Sequence, residues 1–147
     1  MMPAVKDRGW NVELPTETEW EYACRAGTET PFYFGATISS KQANFNGEHP
    51  YGGAAKSEFL QRTAKVGSYP SNALGLFDMH GNVAQWCKDL FRKGTETEDK
   101  EATDGRVVRG GAWAFGGTGI RSAARSSVAP GLRSPSIGFR VVVRQRQ

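Results

Sequence analysis

Long hydrophobic runs are missing from this chain of 147 residues, and no stretch approaches the roughly 18 apolar residues of a membrane-spanning helix, which excludes such a helix within it. Met1 to Gly9 lacks the apolar core of a signal peptide, so a soluble protein is expected, with the cytoplasm favoured. Cysteine is scarce: Cys24 and Cys87 form no close-spaced motif, and two buried reduced thiols are the expected state, although pairing cannot be deduced from sequence. Histidine is equally scarce, with His49 and His80 alone. A large charge of one sign is also lacking, since 19 Lys and Arg against 15 Asp and Glu leave +4, spread along the chain. A nucleic-acid partner needs a clustered basic face and is therefore not expected. The most basic stretch, Arg140 to Gln147, reads as a solvated strand end rather than a phosphate patch.

Turn-forming residues are plentiful: 18 glycines and seven prolines imply many turns, short elements and much irregular backbone. The length suits one domain, taken as residues 1–147. Thr16 with Glu19 three residues on forms a capping box that predicts a helix over Glu17–Arg25. Trp20, Ala23 and Cys24 supply its core-facing stripe, Glu17, Glu21 and Arg25 point away, and Gly27 stops it. Residues 28–72 read as connected loops. Arg106–Arg109 and Ile137–Val143 read as strands, expected to pair antiparallel. Gly94–Gly105 carries five acidic side chains and reads as a solvated loop rather than a metal site. Ala114–Ser136, 23 residues rich in small side chains, is too long for a plain connection; loops of that length are usually functional or disordered, and the apolar strands on both sides favour function. Trp86 and Trp113 are assigned to the core. Arg109, Arg121, Arg125, Arg133 and Arg140 are expected to pin loops to carbonyls and carboxylates.

Several phrases recur in a fixed order: Leu14-Pro15-Thr16-Glu17 through Ala23, Gly75-Leu76-Phe77-Asp78-Met79-His80-Gly81-Asn82-Val83, Arg109-Gly110-Gly111-Ala112-Trp113, Arg121-Ser122-Ala123-Ala124-Arg125 and Gly138-Phe139-Arg140. Over residues 14–143 they resemble the formylglycine-generating, or sulfatase-modifying-factor, family. The resemblance implies an α+β, irregular C-type-lectin-like fold with a small antiparallel sheet and one or two short helices. It also implies that a preceding half-domain is absent from these residues, so that a partner chain or self-association could complete the fold.

In that family's oxidases two cysteines after the Gly-Gly phrase bind copper and oxidise a substrate cysteine to formylglycine. Copper(I) favours soft thiolates, and here those positions fall on Phe115 and near Gly117, with no Cys, His or carboxylate in Ala112–Ile120. A copper oxidase of the familiar kind is therefore not expected. Nor is the iron-dependent branch that makes sulfur-containing betaines, whose histidines come from an extra helical domain. His80 is assigned to local hydrogen bonding in its turn.

The resemblance also brings two structural calcium sites built from oxygen ligands. One would use Asp78, Gly81, Val83 and Gln85, where Gln85 in place of glutamate removes a negative charge. The other would use Asn44, Phe45, Glu58 and Leu60. The competing reading is that Asp78 and Asn82 simply hold turns.

Setting aside the frame residues Arg121, Ser122, Ala123, Arg125, Pro130 and Arg133 leaves seventeen positions in Ala114–Ser136, and none is Lys, Glu, Gln, Met or Trp. That is the alphabet of codons ending in a pyrimidine, and average usage would produce the absence roughly once in a hundred draws. The pattern is similar to the variable region of diversity-generating-retroelement proteins, which rewrite binding positions on this same fold; the alternative is a glycine-rich loop of an ordinary bacterial family member. The expected role is a non-catalytic domain that binds a protein or small molecule through Ala114, Phe115, Gly116, Thr118, Ile120, Ala124, Ser126, Val128, Leu132, Ser134 and Ser136. A formylglycine-generating oxidoreductase with ligands from elsewhere is the second reading.

Overall fold

The computed structural model describes residues 9–92 and 105–145, so most of the expected acidic loop lies outside the described residues. Eight short elements follow in order: β1 (Trp10–Glu13), α1 (Glu17–Arg25), β2 (Ala84–Leu90), β3 (Arg106–Arg109), a 3₁₀ helix (Gly117–Ile120), β4 (Arg125–Val128), β5 (Ile137–Gly138) and β6 (Val142–Gln145). Helix α1 forms where the capping box puts it. Thr16 Oγ1 accepts the Glu19 amide at 3.1 Å, and the Glu19 carboxylate accepts the Thr16 amide at 2.8 Å. That amide, assisted by Arg144, holds the Glu19 carboxyl down at about 2. The helix ends one residue earlier than Gly27: Ala26 is the left-handed cap, donating its amide to the Tyr22 carbonyl, and Gly27 continues the positive-φ turn.

Strands β4-β3-β2-β5 form a curled sheet, antiparallel except for the parallel β2–β5 pair, while β1 and β6 form a separate antiparallel ribbon. The result is the expected mixed fold of few helices and small sheets. Two expectations about the strands require correction. Ile137–Val143 is not one strand, because the chain bends where Arg140 donates to Gln85 Oε1 and to the Phe77 carbonyl. Its two ends join different sheets, and neither pairs with β3, because β2 lies between β3 and β5.

Two apolar clusters hold the domain. Trp20, Cys24, Met79, Cys87 and Val107 pack between α1 and the sheet, and Phe32, Ile38, Ala43, Phe45 and Ile120 pack among the loops. The outward assignment of Glu17 and Glu21 also fails, for a reason of charge. Both carboxylates turn onto β3 and β4, where Arg109 is 1% exposed. Arg109 donates to Glu17 Oε1 at 2.9 Å, to the Glu21 carboxylate and to the Ser122 carbonyl at 2.7 Å, and it lies 5.3 Å from the Trp20 ring centre. Burying a guanidinium is tolerable only with such compensation.

The β1–β6 ribbon inverts the usual pattern. Trp10, Val12, Val141 and Val143 lie outward and exposed, whereas Glu13 and Arg144 form ion pairs on the inner side.

Candidate functional site

The segment after β3 begins with two left-handed glycines, Gly110 (φ +83°) and Gly111 (φ +61°). A Cβ on Gly111 would come within 2.5 Å of Ile120 and 2.6 Å of the Gly119 carbonyl, so the chain can curl into its 3₁₀ turn only with glycine there. Backbone bonds then fix the loop against the Asn46–Tyr51 segment. The Asn46 amide donates to the Phe115 carbonyl at 2.9 Å and the Gly117 amide to the His49 carbonyl at 2.8 Å. Further along, the Ser122 amide donates to the Pro31 carbonyl at 2.8 Å and Arg121 Nε to the Thr118 carbonyl at 3.0 Å.

On this frame Ala114, Phe115 and Thr118 are exposed, as is Leu132; Gly116, Ala124, Ser126, Val128, Ser134 and Ser136 are half-buried. Ile120 is different. It is fully buried in the loop cluster and offers no surface to a ligand, because its period in the 3₁₀ turn places it under Gly111. Of the arginines assigned to pinning, Arg109, Arg121, Arg125 and Arg140 do so; Arg125 holds Glu17 in a bidentate pair that pushes its own guanidinium pKa up. Trp113 and Trp86 are half-buried rather than core, and Trp113 stacks on Phe59 with ring centres 6.2 Å apart.

Among the described residues no three His, Cys, Asp or Glu side chains gather into a metal-binding group. Phe115 is an exposed ring, and Gly117 is a buried glycine packed against Tyr51. The nearest approach to nucleophile chemistry is Cys24, whose sulfur lies 3.8 Å from His80 Nε2 and 3.7 Å from Ser122 Oγ, a cluster not foreseen from the sequence. Burial pushes the Cys24 thiol up to about 12 and the His80 imidazole down to about 4. At neutral pH both are therefore uncharged, the opposite of an activated thiolate–imidazolium pair. His80 instead bonds the Ile120 carbonyl at 2.7 Å and accepts the Tyr33 amide at 3.2 Å, so its partners are distant in sequence rather than local. Cys87 is likewise free, buried and raised to about 12.

The two oxygen sets differ in their fit to calcium. Gln85 Oε1 already accepts from Trp20 Nε1 at 2.8 Å and Arg140 Nε at 3.0 Å, and Asp78 Oδ2 accepts the Gly67 amide at 2.8 Å. A guanidinium on that oxygen repels a cation, so Gln85 does not fit a metal. Asn44 Oδ1 does: it is a buried amide oxygen with no hydrogen-bond partner among the described residues.

Residues 5–145 match the sulfatase-modifying factor enzyme 1-like domain. The chain belongs to this family. It is 36% identical over 137 residues to the serine/threonine-protein kinase pkn1 of Chlamydia caviae, covering 86% of this chain and 20% of that protein. It is 33% identical over 141 residues to the formylglycine-generating enzyme of Mus musculus, covering 86% of this chain and 38% of that protein. It is 31% identical over 134 residues to the inactive C-alpha-formylglycine-generating enzyme 2 of the same organism, covering 86% of this chain and 41% of that protein. Among solved structures it resembles Treponema denticola variable protein 1, with a TM-score of 0.70 and 29% identity over 91% of this chain and 48% of that one. The chain thus spans between a fifth and a half of the proteins it resembles. The family includes an enzyme and an inactive relative, so membership alone does not decide activity. No helix among the described residues is long and apolar enough to cross a membrane.

Proposed function

We propose that this chain is a non-catalytic binding domain of the sulfatase-modifying factor family, presenting Ala114–Ser136 to a protein or small ligand. The observation that carries this reading is the combination in that segment of a backbone tied down at Phe115, Gly117, Thr118 and Ser122 with exposed side chains that have no chemistry of their own. A rigid frame bearing exchangeable side chains can change its ligand without changing its core. The likeness to a protein named as variable supports the same idea, that Ala114, Phe115, Thr118, Leu132 and their neighbours are the rewritten positions. A hard cation such as calcium would serve this domain structurally through Asn44 Oδ1 together with oxygens of Phe45, Glu58 and Leu60.

Randomising Ala114, Phe115, Thr118, Leu132 and Ser134 together tests the reading. Most members of such a library are expected to keep the wild-type melting transition, and selection on unrelated proteins is expected to return binders. A library that largely unfolds would refute it. Copper-dependent oxygen uptake by the wild-type protein with a cysteine-containing sulfatase peptide would establish the oxidoreductase instead.

A further inference from the structure

Beside Trp86 on the main sheet runs a groove of whose lining only Leu14 falls within the family phrases. The sheet register sets Trp86 beside Val108 and Ser126, and Arg106 beside Val128, so these side chains share one face. The opposite face carries Gln85, Arg109 and Arg125, the residues that meet α1 or its carboxylates. A groove of about 430 Å³, open to solvent, is lined by Leu14, Trp86, Cys87, Lys88, Arg106 and Pro130.

Its charged end is built by an irregularity in β2. The stretch of β2 from Trp86 to Leu90 stands against the shorter stretch of β3 from Val108 to Arg106, so Lys88 leaves the ladder. Its amide donates instead to the Pro15 carbonyl at 2.9 Å, and its carbonyl accepts from the Arg106 guanidinium, which fixes that fork at the rim. Lys88 Nζ pairs with Glu13 at 3.1 Å with both side chains more than a third exposed, a weak contact that another carboxylate can displace. Leu14, Trp86 and Pro130 supply apolar walls; Cys87, whose side chain belongs to the core cluster under α1 and is 1% exposed, adds no reactive group.

We infer that this groove binds a small amphipathic carboxylate, its aliphatic or aromatic body against Trp86, Leu14 and Pro130 and its carboxylate on Arg106 and Lys88. The match is one of charge and polarity: apolar walls beside a planar guanidinium, whose remaining donors can take a carboxylate, and an ammonium held only by an exposed ion pair. Five of the six lining residues lie outside Ala114–Ser136; Pro130 is a frame position of that segment, and Ser126 and Val128 border the groove on the same face.

The test uses octanoate, octanol and octylamine added to the full-length ¹⁵N-labelled chain, following the Trp86 indole resonance, assigned with Trp86→Phe. Octanoate is expected to shift it saturably, octanol to bind at least tenfold more weakly, and octylamine to leave it unmoved. Octanoate affinity is expected to fall as NaCl rises from 50 to 500 mM. Arg106→Gln is expected to weaken octanoate at least tenfold and leave octanol unchanged. If that variant does not fold, the three-ligand series and salt dependence on the wild type decide alone. An unmoved Trp86 at 10 mM octanoate, equal binding of octanol, or an unchanged affinity in folded Arg106→Gln would overturn the assignment.

Discussion

Arg109 joins α1, β3 and the loop through Glu17, Glu21 and the Ser122 carbonyl, and the effect of removing its guanidinium can be worked through. Arg109→Met keeps an unbranched apolar stem over Trp20 but removes the guanidinium. Glu17 retains Arg125 and Glu21 retains Arg25, so neither carboxylate is stranded. The Ser122 carbonyl loses its 2.7 Å donor, and Ser122 is fully buried. Leaving such an acceptor unpaired costs about 1–3 kcal/mol, and the larger cost of an uncompensated buried charge does not arise, because both carboxylates keep a partner. We expect a loss of about 1–3 kcal/mol, or roughly 3–9 °C in Tm for a chain of this size, read by calorimetry or circular dichroism. A double-mutant cycle with Glu17→Gln should show coupling of about 1–3 kcal/mol. A drop of less than about 3 °C would refute the argument that this guanidinium joins α1, β3 and the loop.

Three further expectations follow from the same geometry. His80 titrates near 4 in the folded state against an ordinary value of 6.5, so below pH 6.5 the unfolded chain binds a proton the native state refuses. Its contribution is full above pH 6.5 and lost as pH falls towards 4, about 3 kcal/mol in all by the usual conversion; urea unfolding should show about 2 kcal/mol of it between pH 7 and 5, and His80→Asn should flatten the difference. Within the variable segment, Ile120→Ala should cost about 2–5 kcal/mol as a cavity-forming change, whereas Thr118→Ala should stay within about 0.5 kcal/mol; equal thermal shifts would contradict the division between frame and surface. On the ribbon, outward Val12, Val143 and Trp10 should drive concentration-dependent self-association visible by sedimentation, which Val12→Lys with Val143→Lys should abolish; a wild-type chain monomeric at millimolar concentration would rule that out.

Local chemistry was readable directly from the residues. The α1 boundaries followed from Thr16, Glu19 and the Trp20–Cys24 stripe, because capping and helical period act within a turn of the chain. The fold class and the emptiness of the copper positions followed from short phrases whose spacing survives without knowledge of contacts. What tertiary structure decided was every matter of long-range pairing. The sequence could not show that β2 would separate β3 from β5, that Glu17 and Glu21 would turn inward to a buried Arg109, or that Ile120 would leave the surface set. In each case the deciding partner is dozens of residues away, and a one-residue change of register or a single buried charge reverses the outcome. The same holds for the groove at Trp86 and Arg106, whose walls come from separate stretches of chain and whose rim exists only because β2 bulges.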